Sequence, residues 1–309
     1  MSRPRPARRP APRHGVPASC VALPHDQRWP RLSAFLAWRL PVLDEPQWQA
    51  RLAAGEVLDE RGAALAEDAA YRPGERVWYW REVDGEVDIP FAEALLHLDE
   101  RLVVVDKPHF LPMAPVGRYA RHTLLARLQR RLGLAELTPL HRLDRETAGV
   151  VVFSRRPEDR NAYQALFRER QVQKVYEALA PYRPELAVPL RRHSRLEPSD
   201  RRMQMHEVPG EPNAETGIEM ISHDGVHAHY RLTPHTGKTH QLRVHMLALG
   251  APLLGDSVYP VLQPEPAPGQ APDFSRPLQL LARRLAFTDP ITGQALAFES
   301  RRRLAWPAG

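Results

Sequence analysis

Two residue types are scarce in this sequence of 309 residues, which has one cysteine, Cys20, and only three lysines. A single cysteine excludes an internal disulfide framework and a cysteine-based zinc cluster, and is typical of a reducing compartment. No apolar run approaches the roughly 20 residues that a membrane-spanning helix needs. The basic N-terminus has no apolar core and so differs from a secretory signal. These absences predict a soluble, cytoplasmic protein without a membrane partner.

Arginine supplies nearly all of the positive charge. The sequence has 43 Lys and Arg against 37 Asp and Glu, a net charge of +6, with a pI of about 9.7. A positive field attracts polyanions such as RNA, although an excess of this size also occurs in proteins that never bind nucleic acid. The three lysines, Lys107, Lys174 and Lys238, each lie in a motif described below.

The composition predicts three segments. Residues 1–24 are rich in Pro and Arg and are expected to be a disordered basic arm, which either contacts phosphates or has no role. Residues 25–85 carry five of the six tryptophans, too much aromatic area for a linker, and are expected to form a small module. Residues 90–309 are long enough for a large domain with its own core.

The central motif is His141-Arg142-Leu143-Asp144-Arg145-Glu146-Thr147-Ala148-Gly149, followed directly by an apolar run to Ser154. Such a run indicates a buried strand, so Asp144 is expected on a loop at the mouth of a sheet, where catalytic groups often lie. The pattern alone leaves a second interpretation open, in which Asp144 and Thr147 only close a turn.

Three further stretches also place polar or charged side chains in or beside a predicted strand or helix. A strand over residues 101–106 ends at Lys107-Pro108, since proline cannot continue the ladder. A strand over residues 172–180 places Lys174 and Tyr176 on one face. Residues 236–245, Thr-Gly-Lys-Thr-His-Gln-Leu-Arg-Val-His, begin a helix that ends at Gly250. Residues 181–214 between these motifs are expected to be irregular.

Together these motifs resemble, in their order, those of the RluA-type pseudouridine synthases. The resemblance covers residues 90–300 and implies an α+β fold, with a long mixed, mainly antiparallel β-sheet flanked by helices. Residues 25–85 are similar to the small α/β RNA-binding module of ribosomal protein S-four type, or else serve only for docking or folding. Three departures are visible: Ala148 replaces a serine, Lys238 replaces an arginine, and His109-Phe110 replaces a small Gly-type turn.

The resemblance also implies roles for individual residues. Asp144 would be catalytic, Arg243 would pair with it, and Tyr176 would be the active-site tyrosine. Contacts to RNA and supporting positions are expected for six more residues: Lys107, His141, Arg142 and Lys238 for RNA, and Thr147 and Leu242 as supports. For Lys107 a solvated strand end, and for Arg142 a strand-end salt bridge, remain alternatives.

The implied reaction converts uridines to pseudouridine in structured RNA, with ribosomal RNA expected first and transfer RNA as the alternative. It needs no cofactor and no metal, and a monomer is expected. Asp144 would act either as a nucleophile or as a base. Two rival hypotheses are an inactive RNA-binding protein of the same fold and a metal-dependent hydrolase that uses His227 and His229.

Overall fold

The computed structural model describes residues 10–13, 16–26, 28–81, 86–200, 203–267, 270–271 and 273–306. The chain divides into two compact units. The first contains the described residues up to Glu86 together with Ala114–Ala135, and the second contains Val87–Met113 and the described residues from Glu136 onwards. The domain limits given above stay predictions, although this division groups residues 114–135 with the N-terminal unit.

The first unit is built from short elements around an aromatic core. A three-stranded antiparallel sheet has the order β1-β3-β2. Buried side chains of the helices and strands, among them Phe35, Trp48 and Val77, form its core. Its elements are β1 (Ser19–Ala22), α1 (Leu32–Arg39), α2 (Glu45–Ala53), β2 (Val57–Leu58), β3 (Arg76–Tyr79) and α3 (Leu124–Leu132).

The prediction of disorder up to residue 24 is wrong for the end of that segment. Ser19–Ala22 forms β1 and pairs with β3, with Ser19 opposite Tyr79, because Val21 and Leu23 pack into the aromatic core. Residues 1–9, which hold most of the predicted arm's arginines, lie outside the described residues. The resemblance of this unit to an S-four module stays a prediction.

The described residues of the second unit form an eleven-stranded sheet and two α-helices. Its strands are β4 (Ala94–Leu98), β5 (Leu102–Lys107), β6 (Thr138–Pro139), β7 (Ala148–Ser154), β8 (Gln173–Pro181), β9 (Leu190–Pro198), β10 (Met205–Val208), β11 (Ala214–His223), β12 (His227–Pro234), β13 (Leu280–Thr288) and β14 (Ala295–Glu299). Its helices are α4 (Arg160–Arg168) and α5 (Gln241–Ala248).

The strands of this sheet follow the order β10-β9-β11-β12-β8-β13-β7-β5-β4, with β14 beside β13 and β6 beside β7. β13 pairs with β7 in parallel, and the other strand pairs in the described part of the sheet are antiparallel. The predicted α+β class with a mixed, mainly antiparallel sheet is confirmed. β13 lies between β8 and β7 and joins the two halves of the sheet.

Two strands lie in the stretch predicted to be irregular. β9 and β10 pair with each other, and β9 also pairs with β11. Their sequences lack the apolar alternation that reveals a strand because their side chains form ion pairs across the sheet. Arg192 pairs with Glu207, and Arg191 Nη1 lies 2.8 Å from Glu215 Oε1. The prediction was wrong here because it relied on hydrophobic periodicity.

Helix α5 is held on the sheet by its apolar side. Leu242 and Met246 are buried in one cluster with Tyr230 and Leu232 of β12, and Tyr176 of β8 packs against the same cluster. Leu242, which was predicted to be a supporting residue, lies in the packing between α5 and the sheet. This packing fixes the helix that carries Arg243 over the strand that carries Tyr176.

Gly149 allows β7 to approach β13 closely. Its φ is +116°, a conformation that residues with a side chain rarely adopt. A Cβ atom at this position would lie 2.3 Å from the main-chain oxygen of Ala282. The glycine of the central motif is therefore needed for the parallel pairing that starts β7, directly after the Asp144 loop.

Candidate active site

Asp144 lies on the loop between β6 and β7. Its main-chain oxygen accepts a hydrogen bond from the N–H of Thr147 at 3.2 Å, so the segment does form a turn. Thr147 is buried and supports that turn. The carboxylate of Asp144 takes no part in closing it and is 21% exposed. The turn is therefore closed by the main chain and not by the Asp144 side chain, which differs from the second interpretation and leaves the carboxylate for another role.

Lys107 holds the residue that follows Asp144. Its side chain is fully buried, and Nζ donates to three main-chain oxygens, those of Arg145 at 2.9 Å, Leu111 at 2.9 Å and Pro108 at 3.0 Å. Burial lowers the pKa of Lys107 to about 7, although the charge of Asp144 opposes the shift. The predicted RNA contact does not fit this geometry, because three protein carbonyls occupy the amine and no solvent reaches it.

His109 makes a second contact to the same loop, which the sequence did not reveal. Its Nδ1–H donates to the main-chain oxygen of Glu146 at 2.7 Å. Burial lowers the pKa of His109 to about 4, so the ring is neutral at physiological pH. Lys107 and His109 therefore fix two consecutive peptide groups next to Asp144.

Phe110 explains the departure from the family's Gly-type turn. It has a φ of 65°, in the left-handed region that glycine usually occupies. Its ring packs against Phe91 at 6.1 Å and Phe274 at 5.1 Å between centroids. Burial of this ring compensates for a backbone conformation that disfavours a side chain.

Arg243 of α5 is the cation nearest to Asp144. Its Nη1 lies 3.4 Å from Asp144 Oδ2, a long contact. Its bidentate partner is instead Asp256, which accepts from Nε at 2.8 Å and from Nη2 at 2.5 Å. Burial would lower the pKa of Arg243, but the hydrogen bonds and charge of Asp256, with the charges of Asp144 and Glu146, raise it. The predicted pairing with Asp144 is present, but only through one edge of the guanidinium.

Glu146 completes a group of three carboxylates around this arginine. Its Oε2 lies 3.5 Å from Arg243 Nη2, and its Oε1 accepts from Ser257 Oγ at 2.5 Å. The loop that contains Asp256 and Ser257 therefore contacts both Arg243 and the Asp144 loop. Neither Glu146 nor Asp256 was predicted as a site residue, although both lie in stretches that match the family's motifs.

Tyr176 of β8 is half-buried and lies close enough to Asp144 to feel its charge. Burial, followed by the negative charge of Asp144, raises the pKa of its phenol well above the ordinary value. The side chain is therefore a neutral ring with a proton on its hydroxyl group at physiological pH. The structure brings together all three residues that were predicted to be catalytic, Asp144, Tyr176 and Arg243.

His240, the residue before α5, also faces Asp144. Its Nε2 lies 3.8 Å from Asp144 Oδ2, and its Nδ1 lies 3.0 Å from the hydroxyl of Tyr259. Burial lowers the pKa of His240, against the opposing charge of Asp144. The sequence motif contained this histidine without indicating its contact.

Polar side chains fix the start of α5. Gln241 Oε1 accepts from Thr236 Oγ1 at 2.7 Å and from the N–H of Lys238 at 3.0 Å. His245 lies between two hydroxyl groups, with Nε2 3.0 Å from Ser194 Oγ and Nδ1 2.9 Å from Thr216 Oγ1. The motif of residues 236–245 thus uses its polar residues to hold the helix against β9 and β11.

The remaining predicted RNA contacts differ in exposure. Arg142 and Lys238 are exposed and open to a partner. His141 is not suited to bind phosphate, because its Nε2 accepts the N–H of Val152 at 3.1 Å and its ring stacks on Phe167. Burial lowers the pKa of His141 to about 3, so it carries no positive charge at neutral pH. The prediction for His141 therefore does not fit, and its role is to hold the loop to β7.

The histidines of the rival metal hypothesis have other partners. His229 Nε2 lies 3.4 Å from Glu177 Oε2, and His227 Nδ1 lies 3.8 Å from Asp224 Oδ2. No three His, Cys, Asp or Glu side chains of the described residues come together as metal ligands. No helix in the described part of the chain is long and apolar enough to span a membrane.

Comparison with known proteins identifies the family of this chain. Residues 101–248 match the family model described as RNA pseudouridylate synthase. The dual-specificity RNA pseudouridine synthase RluA of Pasteurella multocida is 33% identical over 221 residues, which cover 67% of this chain and 91% of that protein. The chain belongs to the RluA-type RNA pseudouridine synthase family. It is therefore an RNA pseudouridine synthase, an enzyme that acts on RNA.

Two further relatives of this RluA-type synthase extend the comparison. The mitochondrial tRNA pseudouridine(32) synthase of Saccharomyces cerevisiae is 34% identical over 166 residues, 52% of this chain and 36% of that protein. The solved structure of human RNA pseudouridylate synthase domain containing 4 matches with a TM-score of 0.52 and 30% identity, over 69% of this chain and 88% of that one.

Proposed function

We propose that this RNA pseudouridine synthase uses Asp144 as its catalytic carboxylate, with ribosomal RNA as its first substrate and transfer RNA as the alternative. The observation that carries the proposal is the position of Asp144: its carboxylate is partly exposed and faces one edge of a buried guanidinium at 3.4 Å. We also expect a cytoplasmic monomer. The name of the yeast relative, a tRNA pseudouridine synthase, supports the second substrate class.

The reaction is an isomerisation, which explains why one carboxylate and no cofactor suffice. The bond from the sugar to the base nitrogen breaks, the base turns, and a bond to carbon forms. Asp144 acts beside the sugar, either as a nucleophile on the anomeric carbon or as a base at the neighbouring position. Arg243 keeps the carboxylate in place, and the ring of Tyr176 packs on the base.

The target base must leave its stack before it reaches Asp144. Flipping costs a few kcal/mol, which contacts in the pocket recover. Arg142 is exposed only two residues before Asp144, so we place it at the backbone or the vacated space of the RNA. Lys238 is exposed just before α5 and provides a point charge for phosphate.

The experiment is a pseudouridine map of total RNA from four strains: wild type, a null, Asp144→Asn and Asp273→Asn. Asp273 is an exposed aspartate whose Oδ1 accepts the N–H of Ser275, and it serves as the matched control. We expect one or a few sites to vanish in the null and in Asp144→Asn but to persist with Asp273→Asn.

Each other outcome has a defined meaning. Sites that vanish in the null yet persist with Asp144→Asn would remove Asp144 from the chemistry. An unchanged map in the null strain would favour the alternative of an inactive RNA-binding protein. The RNA that carries the lost sites decides between ribosomal and transfer RNA.

A further inference from the structure

Among the three carboxylates around Arg243, Asp256 accepts the most hydrogen bonds. It follows Gly255 in the loop after α5, and its side chain is only 1% exposed. Its Oδ1 accepts the N–H groups of Val258 at 2.8 Å and Tyr259 at 2.9 Å, which fixes the carboxylate in the turn. The same carboxylate forms the bidentate pair with Arg243. The loop therefore holds the carboxylate, and the carboxylate holds the guanidinium.

This pair determines which edge of Arg243 is available. A guanidinium is a rigid planar fork, so a carboxylate that binds its Nε and Nη2 atoms also sets the direction of Nη1. Nη1 then faces Asp144 at 3.4 Å. A bidentate pair between Arg243 and Asp144 would need the second N–H of Nη2, which faces Glu146 Oε2 at 3.5 Å. Asp144 thus receives one oriented, weak contact and keeps its oxygens accessible.

The neighbouring residue strengthens the arrangement. Ser257 Oγ donates to Glu146 Oε1, and Glu146 is the second residue after Asp144. The loop of Asp256 and Ser257 therefore contacts the guanidinium and the Asp144 loop at once. We propose that Asp256 is a positioning residue that holds Arg243 so that Asp144 stays free for the reaction. The proposal rests on the catalytic role of Asp144 proposed above.

The test compares Asp256→Asn with Asp289→Asn. Asp289 is a matched control because its Oδ1 closes a turn in the same way, accepting the N–H groups of Ile291 at 2.8 Å and Thr292 at 3.0 Å. It is also buried, but its other oxygen accepts from the hydroxyl of Tyr163 instead of an arginine. In both variants the amide oxygen of the new Asn can still accept the turn's N–H groups, and only Asp256→Asn removes the negative charge and an acceptor that face Arg243.

The substrate is total RNA from the null strain, and the readouts are the single-turnover rate at saturating enzyme, the enzyme concentration at half-saturation, and the Tm. For Asp256→Asn we expect the rate to fall about 100-fold while half-saturation changes by less than about threefold. For Asp289→Asn we expect a lower Tm with a rate within about threefold of wild type. Equal rates in the two variants would overturn the proposal.

A second variant tests the positioning role of Asp256 if Asp256→Asn does not fold. Asp256→Glu keeps the charge but is longer by one methylene group, which displaces the guanidinium. We expect a folded enzyme whose rate is at least about tenfold below wild type with unchanged half-saturation, because small misplacements affect chemistry strongly. A wild-type rate for Asp256→Glu would overturn the proposal.

Two comparisons separate this inference from the proposed function. If Asp256 acts through Arg243, adding Asp256→Asn to Arg243→Ala lowers the rate no further. If the two residues acted independently, their fold losses in rate would multiply. If Asp144→Asn retains the wild-type rate, the proposed function fails. If Asp144→Asn is inactive while Asp256→Asn is fully active, only the present inference fails.

Discussion

The Nζ atom of Lys107 lies 2.9 Å from the main-chain oxygen of Arg145, the residue directly after Asp144. An amine at the end of β5 thus anchors the loop that carries the proposed catalytic carboxylate. The contact uses the main chain of Arg145, so it does not depend on the side chain at that position. The strand end and the loop therefore behave as one rigid element.

Replacing Lys107 with methionine should harm both stability and catalysis. Methionine has a similar length but no donor, so three buried carbonyl oxygens would lose their partner, at about 3 kcal/mol in the free energy of unfolding. The rate should fall at least about tenfold because the Asp144 loop loses an anchor. Urea unfolding and single-turnover assays would measure both effects.

Lys238→Met is the control for stability, since that side chain is exposed. Its free energy of unfolding should stay within about 0.5 kcal/mol of wild type. Wild-type stability for Lys107→Met would show that the buried amine contributes nothing to the loop.

Tyr176→Phe should separate the two roles of the tyrosine. Burial and the charge of Asp144 raise the pKa of the phenol, so it keeps a proton that it can donate. The variant retains the ring, and we expect half-saturation within about threefold of wild type while the rate falls at least about tenfold. Tyr176→Leu, which also removes the ring, should weaken binding as well. An unchanged rate for Tyr176→Phe would leave only a packing role.

Gly149→Ala should destabilise the second unit strongly. The new Cβ would meet the main chain of Ala282 at 2.3 Å, and the φ of +116° disfavours any side chain. We expect a loss of about 3 kcal/mol or more, measured by urea unfolding. Gly293→Ala is the control: its φ is +74°, but no atom lies within 4 Å, so only about 1 kcal/mol of backbone strain is expected. Similar losses in the two variants would argue against a steric role for Gly149.

Acidification should destabilise the protein partly through His245. Burial lowers its pKa to about 4, against the opposing charge of Glu207, whereas an unfolded histidine has a pKa of about 6.5. Between these values the unfolded state binds more protons, so stability falls as the pH drops from about 6.5 to about 4. The loss at pH 5 is about 2 kcal/mol relative to pH 8.

The measurement is the free energy of unfolding against pH for wild type, His245→Asn and the exposed control His206→Asn. His245→Asn should be less stable at pH 8 but show a shallower decline on acidification. A slope equal to that of wild type would exclude His245 as a contributor.

The apolar elements were predictable from the sequence because their burial leaves a pattern. The apolar run of β7 and the side-chain alternation of β8 predicted strands where the structure has them. The polar strands β9 and β10 were missed because ion pairs across the sheet, such as that of Arg192 with Glu207, leave no hydrophobic period.

Residues of the site could be predicted from the sequence only where they lie in a motif that resembles one of the family. Asp144 and Arg243 are 99 residues apart, and it was the resemblance to a family that joined them. The buried role of Lys107 was not predictable because its acceptors are main-chain oxygens, which any sequence provides. The pair of Arg243 with Asp256 was missed for a different reason: spacing along the chain does not reveal which of three nearby carboxylates a guanidinium selects.

The position of β13 has a consequence for the order in which the enzyme becomes active during synthesis. Asp144 precedes β7, and Tyr176 lies on β8, in the two halves of the sheet that β13 joins. Residues 280–288 are translated after both. A nascent chain that lacks them has every proposed catalytic residue but no strand to bring the halves together, so partly made chains are expected to leave RNA unmodified.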